Sequence, residues 1–147
     1  MSIPRETLGL AAEFAVASEL CRWGLYAQLT LGNKKRTDLL VHNEETNTFL
    51  RIEVKAKQGR GGSDWFIRLP KSNGTDTVYM LVSVPTGDLD KPGTPRVFLM
   101  KPEEISQAME SYQEDRHSRG TGDEKWQPAI RWKDSLPHEN RWDKLPA

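Results

Sequence analysis

Cysteine is almost missing from this chain. A single residue, Cys21, among 147 excludes a disulfide framework and any zinc site built on cysteines. Histidine is scarce as well. His42, His117 and His138 are too scattered to form a His-rich metal site at helical spacing. No apolar run approaches the roughly 18 residues of a membrane helix. The opening MSIPRETLGLAAEF lacks a basic region followed by an unbroken apolar stretch, so no secretory signal is expected. Excess charge is absent too: 21 Lys and Arg face 21 Asp and Glu, which removes any global attraction to a polyanion. Repeats and low-complexity segments are absent. These absences leave one soluble domain in a reducing cytoplasm, with no membrane contact, as the expectation.

The length fits one domain. A hydrophobic content of 36% gives a modest core under a polar surface. The charge is unevenly placed. Residues 1–71 carry 11 basic and 8 acidic side chains, and residues 72–147 carry 10 and 13. The basic excess gathers in Asn33-Lys34-Lys35-Arg36 and in Lys55-Ala56-Lys57-Gln58-Gly59-Arg60. Any polyanion contact is expected there, although a charge run is more often a solvated loop.

Periodicity predicts the elements. A helix runs from about Arg5 to Trp23, with Gly24 as its stop signal. Its apolar face reads as Leu10, Phe14, Val16, Ala17, Leu20 and Cys21, so the thiol is expected to be buried. Strands follow at Tyr26–Leu31, Thr37–His42 and Thr48–Ala56, the last two joined by the polar turn Asn43–Asn47. A short strand is expected at Trp65–Leu69. The run Val78–Val84 reads as a central strand buried on both faces, and Arg96–Met100 as its neighbour. Pro102 and two acids open a helix over 102–111. Residues 113–127 are polar and without periodicity. The tail 129–147 is expected to pack as an irregular arm. The fold class is therefore α/β, a mixed central sheet flanked by helices, with residues 1–112 as its body and 113–147 as linker and arm.

One constellation carries chemistry. Asp38 opens an apolar strand, and Glu53 and Lys55 alternate on one face of the next, ~7 Å apart along the backbone. Pairing Asp38 with Glu53 centres the hairpin between residues 45 and 46, inside the polar turn. Glu13 falls on the wheel midway between Val16 and Leu10, where a carboxylate is costly unless paired. Carboxylates of this kind suit Mg²⁺, a hard cation held by one or two of them plus waters and a phosphate. A neighbouring Lys can position the attacking water. A cross-strand salt bridge on a solvated face would use the same residues.

Gly9-Leu-Ala-Ala-Glu13, Thr37-Asp38-Leu-Leu-Val and Ile52-Glu53-Val-Lys55 resemble the PD-(D/E)XK nuclease superfamily, the fold of type II restriction enzymes and archaeal Holliday-junction resolvases. The motifs span residues 7–57, and element order extends the likeness to about 112. The resemblance implies a restriction-endonuclease-like fold and Mg²⁺-dependent cleavage of DNA, with Mn²⁺ as a substitute. Asp38, Glu53 and the Val54 carbonyl would hold the metal. Lys55 and Glu13 would complete the catalytic set. Lys34, Lys35, Arg36, Lys57 and Arg60 would meet the nucleic acid. Two departures stand out: Thr37 takes the place of the motif's proline, and no DNA-reading domain is recognisable. Cutting both strands would call for a homodimer or a partner.

Secondary candidates are weaker. Gly59-Arg-Gly-Gly-Ser63 could cradle a phosphate or form a flexible loop. Trp65 and Phe66 could stack on bases or fill the core. His42 could assist acid–base work or close a turn. Two alternative functions stay open. One is a catalytically silent nuclease-like module binding DNA or protein. The other is an interaction protein whose Trp126, Trp132 and Trp142 dock a partner.

Overall fold

The computed structural model describes residues 2–30, 38–59, 62–67, 77–87, 90, 93–118, 120 and 129–145. Lys34, Lys35, Arg36, Arg60 and Trp126 lie outside them. The chain order is α1 (Arg5–Arg22), β1 (Tyr26–Leu29), β2 (Leu39–Asn43), β3 (Thr48–Gln58), β4 (Trp65–Phe66), β5 (Thr77–Val84), β6 (Arg96–Met100), α2 (Pro102–Ser118), β7 (Ala129–Ile130) and α3 (Trp132–Ser135). Two short 3₁₀ turns, Leu136–His138 and Trp142–Lys144, follow. The fold is mixed α/β: a five-stranded sheet in the order β1-β2-β3-β5-β6, flanked by helices. Only β3 and β5 run parallel; the other neighbours are antiparallel. Among the described residues no helix is long and apolar enough to cross a membrane.

Local chemistry explains the main elements. Helix α1 stops where the sequence places Gly24, whose φ of 84° few other residues tolerate. The amides of Gly24 and Leu25 return to the carbonyls of Cys21 and Leu20, closing the helix in a Schellman motif. All eight residues of β5 are buried, as a strand covered on both faces requires. On one face, α1 lays Ala12, Val16 and Leu20 on Leu39, Val41, Ile52, Met80 and Leu99. On the other, Ile105, Ala108 and Met109 of α2 pack with Leu81, Phe98, Met100 and Trp65.

Several expectations are corrected. The buried stripe of α1 is Ala12, Glu13, Val16, Ala17 and Leu20. Leu10, Phe14 and Cys21 are exposed instead, because they stand roughly 90° or more from the centre of that stripe. Helix α2 runs to Ser118, past the expected end at 111. Its last turns are polar because they are only half covered, with Asp115 paired to Arg131, and Arg116 and His117 suit the helix C-terminus. Strand β4 stays out of the main sheet and pairs with β7 in a two-stranded ribbon. Trp132 then packs against Trp65 and Phe98, while Trp142 and Leu145 reach the first core.

Candidate active site

The site is a consequence of unequal strands. Strand β3 has eleven residues, but β2 pairs only with Thr48 to Ile52. From Glu53 to Gln58 its ladder is with β5. Asp38 stands where β2 begins, one step beyond the Leu39↔Ile52 pair. Its backbone is fixed from both sides: its amide donates to the Ile52 carbonyl at 3.1 Å, and its carbonyl accepts from the Thr30 amide at 3.1 Å. Its carboxylate is fixed too, since Oδ2 accepts the Val54 amide at 2.7 Å. That amide is the first on this edge that β2 leaves without a backbone partner. The Leu39↔Ile52 register is the one that pairing Asp38 with Glu53 predicts.

Glu53 is buried, with 8% of its surface exposed, although it alternates with the exposed Phe49 and Arg51. Its Oε1 accepts from Lys55 Nζ at 3.0 Å, an ion pair two residues apart on one strand face. The Lys55 side chain keeps 27% of its surface. An ammonium that is paired yet reachable can serve a substrate as well as the fold. In an extended strand the N–H and C=O of one residue point to the same edge. The Val54 carbonyl therefore faces the side on which Asp38 stands.

Glu13 is buried, also at 8%, on the stripe of α1 that packs on the sheet. Among the described residues no three His, Cys, Asp or Glu side chains are grouped so as to hold one metal ion. Glu13 thus does not make a three-carboxylate cluster with Asp38 and Glu53. What remains is two carboxylates and a backbone carbonyl. That set suits a hard divalent cation that keeps several waters.

Of the expected nucleic-acid contacts, Lys57 is the one that lies within the described residues. Its ammonium donates to the Ser63 carbonyl and hydroxyl. It sits 4.4 Å from the Trp65 ring centre and 4.1 Å from that of Trp132. Arg96 lies over Trp132 as well, 5.0 Å away. Burial between the indoles lowers the Lys57 pKa to about 8; Asp64 opposes this and Arg96 adds to it. The alternation of β3 carries the signal for this arrangement, since Lys57 shares a face with Glu53 and Lys55.

The secondary candidates resolve differently. The Gly59 amide is spent on the Val84 carbonyl at 2.9 Å, so it is not offered to a phosphate. His42 stacks on Phe49 at 4.4 Å and bonds Asn47, closing the hairpin at the end away from Asp38. Trp65 is core, whereas Phe66 is 72% exposed. Beside the ion pair lies an open cleft of about 650 Å³, lined by Arg5 and Gly9 of α1, Val54 and Lys55 of β3, and Phe66 and Ile67. Sequence reasoning assigned no role to Arg5. Only its place on the first turn, four residues before Gly9, hints at one.

No family model matches the chain, and no curated protein matches it. Among solved structures, a bacterial homing endonuclease, I-Ssp6803I, is similar over 67% of this chain and 70% of its own, at 15% identity and a TM-score of 0.46. A likeness that distant leaves the functional reading to the geometry.

Proposed function

We propose that this protein is a metal-dependent nuclease of the PD-(D/E)XK type, hydrolysing phosphodiester bonds in DNA. One observation carries the reading: the Asp38 carboxylate docked on the Val54 amide, beside the Glu53–Lys55 pair, where β3 outruns β2. A bound Mg²⁺, or Mn²⁺ in its place, would acidify a water and offset charge on the phosphoryl oxygens. Asp38, Glu53 and the Val54 carbonyl are the groups that would hold it. Lys55, anchored by Glu53, orients the attacking water and faces the charge that grows on the phosphate. Glu13 backs the site from α1 as a positioning residue. One copy offers one such site, so cutting a duplex on both strands requires two copies.

Plasmid nicking and oligonucleotide cleavage in Mg²⁺ test this. Asp38→Asn, Glu53→Gln and Lys55→Ala should each lower the rate by at least about 10²-fold, with unchanged circular dichroism. Chelation should abolish activity. Cleavage at the wild-type rate by any one variant would remove that residue from the mechanism. Among the described residues no third carboxylate is grouped with Asp38 and Glu53, which favours a second reading, a silent module that binds DNA without cutting it. Metal-independent DNA binding with no cleavage under any divalent ion would decide for it.

A further inference from the structure

The cleft beside Lys55 has three features that packing does not explain. Phe66 is 72% exposed, next to a buried tryptophan on the same short strand. Gly9 lies on the sheet-facing stripe of α1, one turn before Ala12 and Glu13, yet a Cβ built there would meet nothing within 4 Å. No close contact demands a glycine at that position. Arg5 is exposed on the first helical turn and forms no ion pair among the described residues. These three residues line one cavity with Lys55.

We propose that this cleft is a nucleotide subsite for single-stranded nucleic acid, in which Phe66 stacks on an unpaired base, Arg5 meets a backbone phosphate and Gly9 keeps the floor open. The proposal rests on the nuclease reading for its direction, because a strand lying here runs past Lys55 toward Glu53 and Asp38. It narrows that reading. A base inside a duplex has both faces covered by its neighbours, so the ligand that can stack on Phe66 is a single strand or a strand end rather than the body of a duplex. Every base has a π-face, so the stack reads no sequence. Phosphate and base are common to DNA and RNA, and the choice of oligonucleotide separates the two.

The test is equilibrium binding in EDTA, where no cleavage intervenes. Fluorescence anisotropy is read with a short labelled DNA strand, the matching RNA strand and the blunt DNA duplex. Phe66→Ala should weaken single-strand binding by about 5- to 100-fold, and Phe66→Tyr should restore it. Arg5→Ala should flatten the slope of log K against log salt by about 0.7. Gly9→Leu should weaken binding without lowering the melting temperature. DNA bound more tightly than RNA assigns the subsite to DNA, and the reverse assigns it to RNA. Three results would overturn the proposal: no single-strand binding by the wild type, unchanged binding by both Phe66→Ala and Arg5→Ala, or equal losses on duplex and single strand. The nuclease reading fails separately. Cleavage that survives Asp38→Asn while binding still depends on Phe66 would sink the chemistry and leave the subsite standing.

Discussion

Gly9 shows how a single residue can be read against its element. In a helix interior glycine costs about 0.5–1 kcal/mol relative to alanine. Nothing in the fold demands it here, since an added methyl meets open space. Gly9→Ala should therefore stabilise the protein by about that amount, seen as a higher urea midpoint at unchanged m. A lower midpoint would mean that the cleft is closed in solution. Lys57 makes a second prediction at this scale. Its ammonium lies over two indoles and titrates near pH 8. Tryptophan fluorescence should therefore change with a midpoint of about 8, and Lys57→Met should lose that step. The sequence was legible to this level only in part. The wheel angle of Glu13 announced its burial, because five positions of α1 define one stripe. It did not reveal that Leu10, Phe14 and Cys21 flank the stripe in water, since apolar residues on a helix do not say which of them is covered. For Trp65 and Phe66, alternation required that one face in and one out, without saying which.

At the scale of elements, the hairpin was the most readable part. A two-residue period and a polar turn leave one register that buries Leu39, Val41, Leu50 and Ile52 together. A slip by one residue would expose all four. That register places Asp38 beside Glu53, so the candidate site and the core follow from the same pattern. The small ribbon of β4 and β7 was not readable. Two-residue strands have no period, and the residues that pair lie more than sixty positions apart. What holds the ribbon is partly polar. The indole N–H of Trp65 donates to Ser135 Oγ at 3.1 Å, in a fully buried contact. Ser135 Oγ in turn donates to the Trp132 carbonyl at 2.7 Å. Ser135→Ala strands the indole N–H in the core, which should cost about 1–3 kcal/mol in urea denaturation.

The whole molecule is tied shut at a place that composition does not betray. Lys144, near the end of the described chain, has a side chain only 7% exposed. It donates to the Leu99 carbonyl at 2.9 Å, to the Glu104 carboxylate at 3.0 Å and to His138 Nδ1 at 2.5 Å. One ammonium thereby joins β6, α2 and the C-terminal turns. The arrangement requires a neutral His138 with its proton on Nε2, since Nδ1 is accepting. Burial lowers the His138 pKa first and the Lys144 charge lowers it further, while the Glu104 carboxylate, 3.3 Å from Nδ1, opposes them without prevailing. Burial pushes Glu104 up, but the Lys101 amide and Lys144 outweigh it and hold the carboxyl below its usual range. Both shifts act in the same direction. As pH falls through about 6.5 the unfolded histidine takes a proton that the folded one refuses, so the unfolded state binds more protons and stability declines. Below about 4.5 the glutamate adds its own loss by the same rule. The melting temperature should therefore fall on acidification from about pH 7 to 5, and His138→Gln should flatten that limb. A His138→Gln variant that melts in parallel with the wild type across this range would show that the acid limb does not come from this histidine.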